Sequence, residues 1–467
     1  MMKKAALLAV TATGLMLTVH FFFGFIYTCL DSYFFHAFAQ YLRTGKYVFP
    51  ILNLPYKHIH TGSPPLYSGL LAILYSFGRA DILLHLIQLL MLVVSAFLIY
   101  KILRHYINKS WAVVIACLFV WIPGNVIYAS YVMSDLGGEF LLILYCYFVF
   151  LYLITKKINY LGISIFVGFA GGLWRYPQAE FGVISLLLFI FKHPKGIKHY
   201  FFPTLGVLVI MMWLWVQHTL TGSFSLGGLS DLSFYNLQVM VRAKALPPED
   251  HPATAEIRKY IPKEVDLRQP YWELEKYFIP YFGYDYIKLS KLVGDVGKAA
   301  LWAHPVAVAG AGLDSFYQSN FEIPYDANLA TFGLNYSINF PPLYCNKLET
   351  IELCKPIIKT KYSFPVWNNF VKASNLFYHT LFPFWTFIIF FPLLIYSLFS
   401  SNSVLKIFSL FYLFGRFTVA LATYPTPRYV LPFYPLMVII TSLAIVEIAS
   451  KLRKKKWRIL SLRSRGK

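Results

Sequence analysis

Residues 82–101 read ILLHLIQLLMLVVSAFLIYK, an apolar run whose only charge is the lysine that ends it. At a rise of ~1.5 Å per residue, ~20 apolar positions cross the ~30 Å hydrocarbon core of a bilayer, so the run is long enough to span. Lys101, Arg104 and Lys109 close it, and lysine and arginine gather on the cytoplasmic side of spans. The segment therefore runs inward. Residues 65–78, PLYSGLLAILYSFG, come just before and are too short to cross; they read as a helix in the outer interface. Counted as a full crossing, they would put the basic cluster outside.

The same rule orders the rest of the chain. Met1–Lys4 is basic and precedes an apolar run over 5–27. That run exceeds the ~7–15 residues of a signal-peptide core and has no small-residue cleavage site after it, so it reads as an uncleaved outward span. Spans follow at 110–129 (out) and 137–155 (in). A hairpin at 159–174 and 178–191 turns outside at Arg175-Tyr176-Pro177-Gln178, and 200–218 runs out. Then 380–400 returns, 404–422 goes out and 430–449 comes in. The expectation is an all-α polytopic membrane protein of about ten transmembrane helices, both termini cytoplasmic. Its parts are an N-terminal membrane module over 1–218 with its first outer loop at 28–81, an extracytoplasmic domain over 219–379, C-terminal transmembrane helices over 380–450 and a basic cytoplasmic tail over 451–467.

Composition agrees. The 467 residues are 58% hydrophobic, 19% aromatic and only 13% charged, with a mean hydropathy of +0.56. No soluble domain needs so much apolar surface, and a barrel would show alternating strands of about ten residues. The net charge of +21 does not indicate nucleic acid. Of the 42 Lys and Arg, 20 fall in the short cytoplasmic segments beside one acid, Glu447, while 219–379 carries 15 basic and 15 acidic residues. The charge is a positive-inside signature, with a tail suited to anionic lipid. Cys117 and Cys146 lie inside spans as small apolar residues. Cys345 and Cys354 fall in the outer segment, a disulfide if that compartment oxidises and two thiols otherwise.

This topology rests on Lys and Arg alone, yet it brings other polar residues to one side. Asp31, Asp135 with Glu139 one turn on, Arg175, Glu180 and Arg428 all fall at outer ends of spans. Ionisable groups at membrane depth are costly and mark functional sites; a transporter would set them at the midplane. Each also has a plain reading. Asp31 is a solvated residue past a helix end, Asp135 and Glu139 a first turn favoured by the helix dipole, and Arg175 and Arg428 are interfacial anchors. Arg416 is read as the partner of an acid inside the bundle. His58 and His60 are loop histidines.

Four motifs weigh toward function. The first is an acid just past span one, followed by AFAQYLRTG (37–45), Ser63-Pro64-Pro65-Leu66-Tyr67 and Phe77-Gly78. The others are Ser134-Asp135 opening a span, GGLWRYPQ (171–178) and PRYVLPFYPLMVI (427–439). In this order they resemble the GT-C superfamily of integral membrane glycosyltransferases, in particular the group of protein mannosyltransferases and lipid A aminoarabinose transferases. The likeness covers 28–180 and 380–450, and in 219–379 only His304-Pro305. The chain departs from the pattern in two places: Ser32 follows Asp31 where the family often has a second acid, and Ser63 stands where members often carry a base before Pro-Pro.

The resemblance implies a GT-C-like bundle and transfer of a sugar from a polyprenyl-phosphate donor to an acceptor hydroxyl on the outer face, with inversion. Asp31 is then the catalytic base. Asp135, Arg175, Arg428, Tyr429, Lys57 and His60 bind substrate, with Arg175, Arg428, Lys57 and His60 taking over the phosphate contacts of the missing base. The resemblance fixes no cofactor, and a divalent cation is compatible with the chemistry. The implied partners are the lipid-linked donor, a glycolipid, polysaccharide or protein acceptor and the bilayer. The implied location is a bacterial plasma membrane with its site facing out. Two other readings stay open: an O-antigen polymerase or ligase type of enzyme, working through Arg and His of the long outer segment, and a lipid-linked sugar flippase.

Overall fold

The computed structural model describes residues 30–45, 63–77, 80–129, 132–192, 194–222, 224–227, 232–283, 285–321, 380–422 and 427–465. The first apolar run, Lys57, His60 and the Cys345–Cys354 pair lie outside the described residues. Among those described, the chain is helical throughout, with no strand. Among the described residues, five helical segments are long and apolar enough to cross a membrane: Leu83–Leu103, Asp135–Thr155, Ile197–Thr221, Ser403–Leu421 and Val430–Arg453.

In chain order, α1 is Leu30–Thr44, α2 Pro65–Leu74, α3 Ala80–Leu103, α4 Lys109–Val120, α5 Pro123–Tyr128, α6 Asp135–Thr155, α7 Ile158–Trp174, α8 Ala179–Lys192 and α9 Phe201–Thr221. A π-helical stretch, Leu232–Arg242, leads to α10 (Pro252–Ile257), α11 (Tyr271–Phe282), α12 (Tyr286–Ala303) and α13 (Pro305–Phe321). The C-terminal part holds α14 (Phe382–Leu398), α15 (Ser403–Ala422), a 3₁₀ stretch Pro427–Phe433, and α16 (Tyr434–Arg465).

Two elements differ from the expected spans. The run 110–129 breaks into α4 and α5 at Trp121-Ile122, because Pro123 cannot donate to the preceding turn and is best placed at a helix start. The Asn125 side-chain amide donates to the Phe119 carbonyl at 2.9 Å, beside the Ile122 backbone N–H that also reaches it, and so ties α5 to the end of α4. At the other end, α16 continues past residue 450 to Arg465. The tail is rich in Lys, Arg and Leu, with no Gly or Pro before Gly466, and those residues favour helix.

The membrane bundle is sealed by the α7–α8 hairpin. A Cβ on Gly168 would lie 2.5 Å from the Gly182 backbone nitrogen, so the two helices meet backbone to backbone. In lipid, such close approach through small residues replaces the hydrophobic drive that water would supply. The main core joins α3, α4 and α6 to α14, α15 and α16 through Ile99, Ile143, Phe150, Phe408 and Ile440. A second core, with Val239, Leu274, Phe278 and Val293 at its centre, belongs to the π stretch and α11–α12 and takes in Ala37 of α1.

The contact makes a testable demand. Gly168→Ala should lower the thermal midpoint of the purified protein, since its Cβ meets backbone that cannot move aside, and overpacking typically costs ~1–3 kcal/mol. Gly69→Ala on α2, where a Cβ meets nothing within 4 Å, should leave the midpoint unchanged or raised. Equal melting of both variants would contradict the packing.

Candidate active site

The first residue of α6, the last turn of α7 and the start of α8 lie at one end of the bundle, because α6 begins where the α7–α8 hairpin turns. Trp174 ends α7, and Arg175 leaves the helix in an extended conformation, φ −154° and ψ 108°. Tyr176-Pro177-Gln178 then makes one 3₁₀ turn into α8. Pro177 suits that turn because its fixed φ is preset for a helix start.

Arg175 forms an ion pair with Asp135. The Asp135 carboxylate is fully buried and the Arg175 side chain nearly so. Three hydrogen bonds fix the geometry around it. Trp174 Nε1 donates to the Ser134 carbonyl at 3.0 Å, Gln178 Nε2 donates to the Gly138 carbonyl at 2.7 Å, and the Tyr176 hydroxyl donates to the Ser63 carbonyl at 2.7 Å. The Trp174 ring occupies the space a side chain would need at Gly137, where a Cβ would sit 2.3 Å from the ring. Glycine at 137 is thus a condition of the tryptophan's position.

The Tyr176 bond ties the hairpin to the Ser63-Pro64-Pro65 element at the start of α2. From there, Tyr67 packs edge-on between Trp174 (5.4 Å) and Phe35 of α1 (4.9 Å). Phe35, Tyr67, Leu71, Val132, Met133 and Trp174 form one apolar cluster. It brings α1 to the same end of the bundle, with Asp31 in the first turn of α1, one helical turn before Phe35.

Further polar residues reach this region from neighbouring helices. Glu139 of α6 is fully buried, and its carboxylate oxygens have no hydrogen-bond partner among the described residues. Glu180, in the first turn of α8, lies beside Thr418 of α15. Arg416 of α15 is fully buried, bonded to the Tyr412 hydroxyl and set over the Phe433 ring at 5.6 Å, where its charge also acts on Arg175. Arg428 and Tyr429 open the 3₁₀ stretch that leads into α16. No group of three or more His, Cys, Asp or Glu arranged to hold a metal occurs among the described residues.

The structure thus joins Asp135 and Arg175 directly, and packs α1 beside them through Phe35. The ties made by Tyr176 and Gln178 were missed by sequence reasoning. A Tyr-Pro-Gln turn inside a hydrophobic hairpin was the available signal, since polar groups at that depth need partners.

Residues 62–217 match the family model described as dolichyl-phosphate-mannose-protein mannosyltransferase. The match bears out the resemblance read from the motifs, and it contains Ser63, Asp135, Glu139, Arg175 and Gln178. Among solved structures, the chain is similar to ArnT from Cupriavidus metallidurans bound to undecaprenyl phosphate. That similarity has a TM-score of 0.37 and 10% sequence identity, and covers 96% of this chain and 78% of that one. No curated protein matches the sequence.

Two outcomes follow from the geometry. Removing one partner of a buried ion pair leaves the other charge uncompensated, at a typical cost of ~3–5 kcal/mol. Asp135→Leu and Arg175→Met should each lower the thermal midpoint strongly, and the double variant should recover most of the loss. Unchanged melting of both single variants would remove the pair's structural role.

The second outcome concerns His36 of α1, whose Nδ1 is hydrogen-bonded to the Tyr75 hydroxyl. Burial pushes its imidazole down from 6.5 to about 4. The unfolded chain therefore binds a proton that the folded chain refuses between those values, and stability falls as pH drops through that window. The loss for this one group is on the order of 3 kcal/mol. His36→Gln should flatten that part of the stability–pH profile, and an unaltered profile would contradict the assignment.

Proposed function

We propose that the protein is a membrane glycosyltransferase, moving a sugar from a polyprenyl-phosphate donor to an acceptor hydroxyl at the extracytoplasmic face of a bacterial plasma membrane. The observation that carries this reading is the junction at one end of the bundle. There α1, the Ser63-Pro64-Pro65 element and the Asp135–Arg175 pair are packed together; the last two lie within the family match over 62–217, and α1 precedes it.

The chemistry has few requirements. The donor carries its own leaving group, a lipid phosphate. Transfer needs a carboxylate to take the acceptor's proton and cations to stabilise the phosphate as it departs. Asp31 is the proposed base. Direct displacement would invert the anomeric centre, and one essential carboxylate fits that better than the acid pair of glycoside hydrolysis.

Arg175 and Arg428 are the proposed phosphate contacts, with Tyr429, Lys57 and His60 beside them. Asp135 orients the Arg175 guanidinium and balances its charge until the donor phosphate arrives. The membrane module over 1–218 and the helices over 380–450 carry this site. The segment over 219–379 is the proposed extracytoplasmic domain and 451–467 the cytoplasmic end.

Asp31→Asn tests the reading. A general base contributes ~10²–10⁴-fold, so the variant, folded like the parent, should lose turnover by about that factor with a polyprenyl-phosphate sugar as donor. Donor affinity should change little, because the missing interaction is made in the transition state. Retention of more than about a tenth of the parent turnover, less than the smallest loss expected of a base, would remove Asp31 from that role.

A further inference from the structure

The exposed side of the chain changes character between α12 and α13. On α12 the buried stripe is Tyr286, Leu289, Val293, Val296 and Ala300, and the exposed positions are charged: Lys288, Lys291 and Asp295. This is an ordinary amphipathic helix with a wet face. After Lys298 the charges stop until Asp314, yet the exposure continues. Trp302 is 82% exposed, Val306 83%, and Leu313 59%. From residue 302 to 313 the outward positions are apolar except His304.

The other side of α13 is fixed to the membrane helices. A Cβ at Gly312 would sit 2.2 Å from the Leu421 side chain of α15. Gln238 Nε2 donates to Ser315 Oγ at 3.1 Å and to the Ala420 carbonyl at 3.3 Å. Phe316 meets Phe391 of α14 edge-on at 6.2 Å. Phe387 and Ile388 of α14 and Phe414 of α15 are themselves large exposed apolar residues on helices that read as membrane-spanning. The apolar face of α13 therefore adjoins a wall that faces lipid.

From this continuity, and from the switch from charged to apolar exposure at Lys298, we infer that the α12–α13 corner seats in the interfacial layer of the bilayer, with Trp302 and Val306 as its inserted side chains. Tryptophan suits the border between hydrocarbon and head groups. Contiguous apolar exposure of this kind on a soluble surface would mark a binding face, and here the lipid supplies the partner. The inference concerns a surface far from the Asp31 region in sequence and does not depend on glycosyl transfer.

Spin labels at single cysteines, placed in a cysteine-free background reconstituted in phosphatidylglycerol–phosphatidylethanolamine nanodiscs, test it. Labels at 302 and 306 should collide more often with oxygen, which concentrates in lipid, than with a water-soluble nickel chelate. Labels at 288 and 291 should show the reverse order. Nickel accessibility at 302 and 306 equal to that at 288 and 291 would overturn the inference. Dipolar broadening between labels at 302, lost on dilution with unlabelled protein, would also overturn it, because the face would then cover a second copy. As a second readout, Trp302→Glu/Val306→Glu should leave the bundle folded but lower the oxygen accessibility of a label at 309.

Discussion

A guanidinium and a carboxylate buried together inside the protein constrain everything around them. Two charges removed from water cost several kcal/mol each, and their attraction repays this only when the geometry is held. The chain around Asp135 and Arg175 meets that condition. Trp174, Gln178 and Tyr176 each bond to a backbone carbonyl on another element. Glycine at 137 leaves room for the indole, and glycines at 168 and 182 let α7 and α8 approach closely enough to fix the turn.

The same constraint links the ends of the chain. Tyr176 reaches Ser63, Tyr67 reaches Phe35, and Glu180 meets Thr418 of α15. Arg416 sits over the ring of Phe433, the last residue of the stretch bearing Arg428 and Tyr429. Residues separated by hundreds of positions therefore share one end of the bundle. Low dielectric makes their charges interact strongly, and dense packing limits how far they can move. On the proposed reaction, a phosphate gaining charge as it departs would meet cations already held in place.

The helical architecture was legible because its signal is coarse: runs of about 20 apolar residues and a bias of Lys and Arg. The edges were less so. The break at Trp121-Ile122 was hidden within a continuous apolar run, although Pro123 marked it. Of the site, the residue types were legible and the bonds were not. Asp135 and Arg175 stood out as ionisable residues at the ends of spans, but nothing in spacing says that residues forty positions apart will pair. Glu139 read equally well as a solvated first turn; in the structure it is fully buried, because α6 begins inside the bundle rather than at its rim. Read by length alone, the apolar run around Trp302 is too short to span. That reading counted length, whereas the face it presents depends on which side packs on α15.

Single-turnover transfer in reconstituted vesicles tests the central claim most directly. Purified protein in sealed liposomes would be given a polyprenyl-phosphate sugar with a radiolabelled sugar, together with pooled envelope glycolipids as acceptors. The account predicts label appearing in acceptor, with release of unsubstituted polyprenyl phosphate in equal amount and an inverted anomeric linkage in the product. Movement of intact labelled donor between leaflets without any release of polyprenyl phosphate would contradict it.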